Sequence, residues 1–201
     1  MASYPSLTDG FVVLDPLTAD HVGAFAEAGS GDRSTFGYTW VPDGLADAQR
    51  YVDLALAQVD AGASLAYAVV LAESGRVIGS TRLWEFVRFD QDAPYPQAAE
   101  IGFTWYAADV QRTGVNTAVK SLLFGLAFDE WSVLRLSLKT HAANSRSRAA
   151  IERLGATFEG VRRVLPSTQD GSIRDVAFYS VIRSEWPEVK LRLAAMRRHG
   201  S

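Results

Sequence analysis

The chain contains no cysteine, which excludes disulfides, thiolate metal ligands and a cysteine nucleophile. Histidine is scarce, with three residues, so no metal site is expected. No apolar run approaches the roughly 20 residues that span a bilayer, and Met1 to Gly10 lacks a basic segment followed by an apolar one. A cytoplasmic protein without membrane association is the expectation. Positive charge is not in excess either: Lys plus Arg is 20 against 23 for Asp plus Glu, a formal charge of -3. No overall basic field is available to hold nucleic acid. What is present, 201 residues with 48% hydrophobic and 21% charged, suits a single domain with room for a sizeable core.

Taken in order, Phe11 to Leu14 reads as a short strand ended by Pro16, and Thr18 as the cap of a short helix that Gly29 stops. Phe36, Tyr38 and Trp40 then alternate in a segment rich in Gly, Ser, Thr and Asp, a loop carrying aromatics. Leu45, Ala48, Tyr51, Val52, Ala55, Leu56 and Val59 recur at helical spacing. Two apolar runs, Ser64 to Ala72 and Arg76 to Phe86, flank Glu73-Ser74-Gly75 and predict a hairpin. Arg88 to Gln97, with Asp90, Asp92, Pro94 and Pro96, reads as an exposed loop. A strand from Ala98 to Ala107, a helix from Gly114 to Trp131, a strand from Leu134 to Thr140 and a helix from Asn144 to Leu154 follow. Thr157 to Leu165 and Ile173 to Arg183 flank Asp170-Gly171, a second hairpin signal, and Ser184 caps a closing helix that runs to Arg198. The order gives an α/β chain: a mixed sheet covered by helices.

Gln111 to Lys120 is the most informative stretch. A strand, a glycine turn and a helix start place free N–H groups and the positive end of a helix dipole at one point, which suits a phosphate. An ordinary turn glycine is the plain alternative for Gly114. Asn116, Thr117, Lys120 and Ser121 make a polar stripe on a helix that is otherwise apolar, as expected if a ligand lies along its opening turns. Neither Gly-x-x-x-x-Gly-Lys-Ser/Thr nor Gly-x-Gly-x-x-Gly is present.

Four ordered segments carry a family resemblance: Ala99-Glu100-Ile101-Gly102-Phe103, Gln111-Arg112-Thr113-Gly114, Asn144-Ser145-Arg146-Ser147, and Leu154-Gly155-Ala156-Thr157-Phe158-Glu159-Gly160. Together they resemble the GCN5-related N-acetyltransferases (GNAT), and the ending Arg183-Ser184-Glu185-Trp186 is similar to the Rim-type branch that modifies ribosomal-protein N-termini. The resemblance covers residues 8 to 187 of one acetyltransferase domain spanning 1 to 201. It implies a mixed, mostly antiparallel seven-stranded sheet with helices on both faces and a splayed central strand pair, here Ala98 to Ala107 and Leu134 to Thr140.

The resemblance also implies roles. Acetyl-CoA is the co-substrate, with its pyrophosphate wrapped by backbone N–H groups of Gln111, Arg112, Thr113, Gly114, Val115, Asn116 and Thr117. Asn116 stands where a second Gly or Ala is usual. Backbone groups near Phe103 and Trp105 would bond the pantetheine arm and polarise the thioester carbonyl. Asn144 reaches the pantetheine amide in the family, and it also suits helix capping. Ser147 is the candidate acid for the departing thiolate. Glu100 is the candidate base that takes a proton from the acceptor amine; its plain alternative is a strand carboxylate paired with an Arg. His141 is a minor alternative base, while Glu85 and Asp175 receive no role. Pro166 falls near a position where some relatives carry an acidic residue.

An acetyl-CoA-dependent N-acetyltransferase acting by direct attack of a primary amine is the first reading, and the absence of cysteine supports the direct route. The amine, a protein N-terminus or a small molecule, would enter between the aromatic loop and the acidic loop at Asp90 and Asp92. A non-catalytic acyl-CoA-binding or sensor domain is the second reading, and a partner-binding module is the third. Oligomeric state is open, with a homodimer as one option.

Overall fold

The computed structural model describes residues 4–167 and 171–198. Eight strands form one sheet: β1 (Leu7–Thr8), β2 (Val12–Pro16), β3 (Ser64–Leu71), β4 (Val77–Val87), β5 (Ala98–Tyr106), β6 (Arg135–His141), β7 (Thr157–Pro166) and β8 (Ile173–Ile182). Their spatial order is β1-β2-β3-β4-β5-β6-β8-β7. Among the described residues only the central β5/β6 pair is parallel. Five α-helices among the described residues accompany the strands: α1 (Val22–Ala28), α2 (Gly44–Asp60), α3 (Val115–Gly125), α4 (Ser145–Arg153) and α5 (Trp186–Arg198).

The sheet has eight strands where seven are expected, because Leu7 and Thr8 pair with Leu14 and Val13. Two residues are too few to show an alternating pattern. The turn between β1 and β2 is held by Asp9, whose Oδ1 accepts the N–H groups of Phe11 and Val12 at 3.0 and 2.9 Å. The second hairpin forms, and Asp170 of its turn lies outside the described residues. The closing helix starts at Trp186 rather than Ser184; Glu185 Oε2 accepts the Ile182 N–H at 3.0 Å and holds the chain in a turn up to that point. The long helix after Gly114 is α-helical only to Gly125 and then widens into a π turn, Leu126–Glu130. The wider turn lets three consecutive residues, Leu126, Ala127 and Phe128, all be buried.

Successive strand residues face opposite sides of a sheet, and β5 sorts its neighbours accordingly. Trp105 packs with Phe25 of α1 and Tyr51 of α2, ring centroids 5.5 and 6.3 Å away. Thr104 and Tyr106 face α3. Beyond α3, Trp186 of α5 stacks on Phe128 at 5.2 Å. Among the described residues no helix is long and apolar enough to cross a membrane.

The feature that positions the site is a notch between β5 and β6. Their pairing runs from Ala98↔Arg135 to Ile101↔Leu138 and stops. Beyond it β5 stays with β4 as far as Gly79↔Tyr106, while β6 stays with β8 as far as His141↔Val176. A bulge at the divergence has Phe103 at φ 51, with the β4/β5 register shifting between Ser80 and Arg82. Bulges of this kind bend and twist a strand, here away from β6.

Candidate active site

A cleft of about 780 Å³ follows the notch. One wall is β5 from Glu100 to Tyr106, and the other is Leu138 to His141 of β6. Gln111, Arg112, Thr113 and Asn116 line one end, and Asn144, Arg146 and Ser147 the side toward α4. Thr35, Phe36 and Tyr38 come from the segment joining α1 and α2. Of the residues expected at a site, Glu100, Phe103, Trp105, Gln111, Arg112, Thr113, Asn116, Asn144 and Ser147 are therefore brought together around one space.

Gly114, Val115 and Thr117 are not in that lining: Gly114 has no side chain, and those of Val115 and Thr117 are buried. Gly114 has φ -69, ordinary helical geometry, while Arg112 at φ 64 makes the sharp turn. The first-turn N–H groups of a helix lack intrahelical acceptors; that of Val115 meets Thr113 Oγ1 at 3.3 Å. Asn116 does not crowd the turn. Its Oδ1 accepts the Tyr106 hydroxyl at 3.2 Å, so the side chain is directed at β5. Burial raises the Tyr106 phenol well above its ordinary value and keeps it a donor.

The polar stripe on α3 thus faces the strand more than the solvent. One turn beyond Asn116, Lys120 Nζ donates to Thr104 Oγ1 at 2.6 Å, and Thr104 bonds Thr81 at 2.8 Å. No carboxylate among the described residues pairs with Lys120. Burial lowers its pKa to about 7.

Glu100 lies at the closed end of the notch, 2% exposed. Its partner is a lysine, not an arginine: Lys139 Nζ is 3.2 Å from Oε2, and the Trp84 indole donates to Oε1 at 3.0 Å. Burial pushes Glu100 up to about 7, Glu85 adds to the rise, and Lys139 and Trp84 pull the other way. Gly102 makes this possible, because a Cβ there would stand 2.5 Å from Trp84 Nε1.

Asn144 caps α4, its Oδ1 accepting the Ser147 N–H at 3.0 Å, which leaves the amide NH₂ free to donate. Ser147 sits in the first turn of that helix and lines the cleft. His141 Nδ1 accepts the Ala143 N–H at 3.0 Å and the ring lies against Tyr38, centroids 4.7 Å apart, so it shapes the turn into α4.

Sequence reasoning missed a clasp over the cleft. Arg146 donates to Gln111 Oε1 at 3.1 Å and to the Thr35 carbonyl at 2.8 Å, and Gln111 Nε2 donates to Thr35 Oγ1 and the Tyr106 carbonyl, both at 3.0 Å. Nothing in the spacing of these residues marks the contact. The acidic loop does not take part: Asp90 Oδ1 accepts the Asp92 N–H at 2.9 Å within its own turn, and neither residue lines the cleft. Pro166 and Arg174 from the β7/β8 end are there instead. Trp40 turns to α2, its indole donating to Asp47 at 2.8 Å.

A parallel strand pair splayed beside a helix start is the geometry the resemblance implied, and a family profile described as an acetyltransferase (GNAT) domain matches residues 12–157. The chain belongs to the GNAT family. That span of the GNAT domain includes the notch, the Gln111 to Asn116 turn and α4. A structure of a GCN5-related N-acetyltransferase from Brucella melitensis superposes with TM-score 0.83 at 28% identity, covering 96% of this chain and 85% of that one. RimJ from Mycobacterium smegmatis, solved with CoA disulfide, shares the fold at TM-score 0.76 and 19% identity, over 96% of this chain and 94% of that one. YdaF of Bacillus subtilis (strain 168), provisionally named a ribosomal N-acetyltransferase, is 34% identical over 88 residues, 44% of this chain and 47% of that protein. The match therefore spans about half the length of this curated relative.

Proposed function

We propose that this GNAT domain transfers the acetyl group of acetyl-CoA to a primary amine by direct attack in a ternary complex. The observation that carries the reading is the continuous cleft from the first turn of α3, along the unpaired edge of β5, to the buried Glu100. Its parts fit the co-substrate. N–H groups at the start of α3 that lack intrahelical acceptors suit a pyrophosphate, an unpaired strand edge suits an amide-bearing arm, and the Asn144 NH₂ offers a donor beside it.

Acetyl-CoA supplies an activated acyl group when bound. The chain's own groups do the rest. Backbone N–H groups past the Phe103 bulge polarise the acyl carbonyl. Glu100, poised near neutrality, takes the proton that the attacking amine must lose, directly or through water. Ser147 returns a proton to the departing thiolate. Phe36 and Tyr38 border the acceptor side opposite Pro166 and Arg174. The acceptor is a protein N-terminus or a small-molecule amine; the provisional name of YdaF, a ribosomal N-acetyltransferase, favours the former. Incubation with acetyl-CoA and a panel of amines and peptide N-termini, with CoA release as readout, tests this, and absence of turnover on all of them counts against catalysis.

A second reading is a non-catalytic acyl-CoA-binding domain. It draws on Glu100 having one oxygen on Lys139 and the other on Trp84. Tight CoA binding, with Glu100→Gln and Ser147→Ala indistinguishable from wild type in every acetylation assay, would favour it.

A further inference from the structure

Glu85 lies beside Glu100 with no role assigned to it, and the backbone shows that its placement is not incidental. Neighbouring residues on a strand face opposite ways, yet Trp84 and Glu85 both serve the same group. Trp84 donates to Glu100. Glu85 Oε1 accepts Lys139 Nζ at 2.9 Å, and that ammonium also reaches Glu100 at 3.2 Å and sits 4.6 Å over the Trp84 ring. What turns Glu85 round is a break in the β4/β5 register between Trp84 and Val87, with Glu85 at φ 50. A side-chain-bearing residue rarely adopts this left-handed conformation. Lys139 is equally well placed: it is the first residue of β6 beyond the last rung with β5, Ile101↔Leu138. Its side chain therefore stands at the vertex where the strands part.

We propose that Lys139 is a positioning residue that bridges Glu85 and Glu100, favours the carboxylate form of Glu100 against its burial and fixes it beside Trp84 at the vertex of the cleft. The proposal rests on the reading of Glu100 as the proton acceptor. Among the described residues, the charged groups facing Glu100 are Lys139 from β6 and Glu85 from β4, and they act in opposite directions. Glu85 has the more exposed side chain, 49% against 3% for Glu100, so the bridge ties a buried carboxylate to one at the surface. A purely structural ion pair would make both removals act the same way, through stability. An electrostatic bridge makes them act oppositely: loss of the cation disfavours the carboxylate form of Glu100, and loss of the second carboxylate favours it.

The test follows the Glu100 carboxyl by ¹³C NMR titration in the ligand-free protein, alongside the pH dependence of kcat/KM, for Lys139→Met, Lys139→Arg and Glu85→Gln. The titration midpoint and the acid limb of activity should both move to higher pH in Lys139→Met, both move to lower pH in Glu85→Gln, and return toward wild type in Lys139→Arg. Midpoints that stay put, or that move the same way in Lys139→Met and Glu85→Gln, overturn the bridge. Midpoints that move as expected while the acid limb does not follow them overturn Glu100 as the base, and with it the catalytic part of this assignment. Glu85 is half exposed, so its variant gives an answer even if Lys139→Met folds poorly.

Discussion

Glu100 and Lys120 are buried to a similar degree, 2% and 5% exposed, in the wall of one cleft, but Glu100 projects from β5 itself whereas Lys120 reaches the other face of β5 from α3, and they are in different company. Glu100, on the side of α1 and α2, has a lysine and an indole within hydrogen-bonding distance. Lys120, on the side of α3, has a threonine hydroxyl. Burial disfavours the charged form of each, and both end near 7 from opposite directions. The difference lies in what each can do there. Glu100 has neighbours that tune it and a position at the vertex of the notch. Lys120 forms, with Tyr106–Asn116 one turn away, a pair of polar ties between α3 and β5, and those ties hold the start of α3 against the strand that walls the cleft.

The largest effect expected from breaking this comparison is on turnover. Glu100→Gln should lower kcat by roughly 10²- to 10⁴-fold while calorimetry still finds CoA bound, because the Gln111 to Asn116 end of the cleft is untouched; Lys120→Met should leave a measurable kcat.

Stability against pH separates the two groups next. The folded protein holds a proton on Glu100 between its ordinary 4.5 and about 7, so stability falls as pH rises through that window. The unfolded chain holds one on Lys120 between about 7 and 10.5, so stability rises with pH there. Each slope reaches at most about 1.4 kcal/mol per pH unit. Urea midpoints across pH should flatten below 7 in Glu100→Gln and above 7 in Lys120→Met, each variant leaving the other limb in place.

A smaller and more local change sharpens the Glu100 side. Gly102→Ala places a methyl against the Trp84 indole and should destabilise by about 1–3 kcal/mol, with indole fluorescence reporting the displaced ring. Smallest is Asn144→Ala, which removes the cap on α4 and should destabilise by about 1 kcal/mol, read as a lowered Tm.

Much of the fold is legible in the residues because their periodicities are strong. Ala48, Tyr51, Val52 and Ala55 announce α2 and are its buried face. The hairpin of β3 and β4 follows from two apolar runs about a glycine turn. The two-residue β1 is not legible, since its identity comes from the partner strand and not from its own pattern. The site divides similarly. The strand, turn and helix around Gly114 can be read locally, and so can the capping by Asn144. The clasp of Arg146 on Gln111 and Thr35, the Lys139 bridge, and the exclusion of Asp90 and Asp92 depend on contacts between distant segments, which spacing does not encode. Asn116 illustrates both: its departure from the family pattern is visible in the sequence, but the Tyr106 hydroxyl that accounts for it is not.

The central claim is that Glu100 acts as the base at the vertex of the notch. It is tested most directly by the pH dependence of kcat/KM for acetyl transfer to one accepted amine, in wild type and Glu100→Gln side by side. The expected result is a rise in wild-type activity with pH through a midpoint near 7, and residual activity in the variant that lacks this rise. The same rise, at the same midpoint and height in Glu100→Gln, would contradict it.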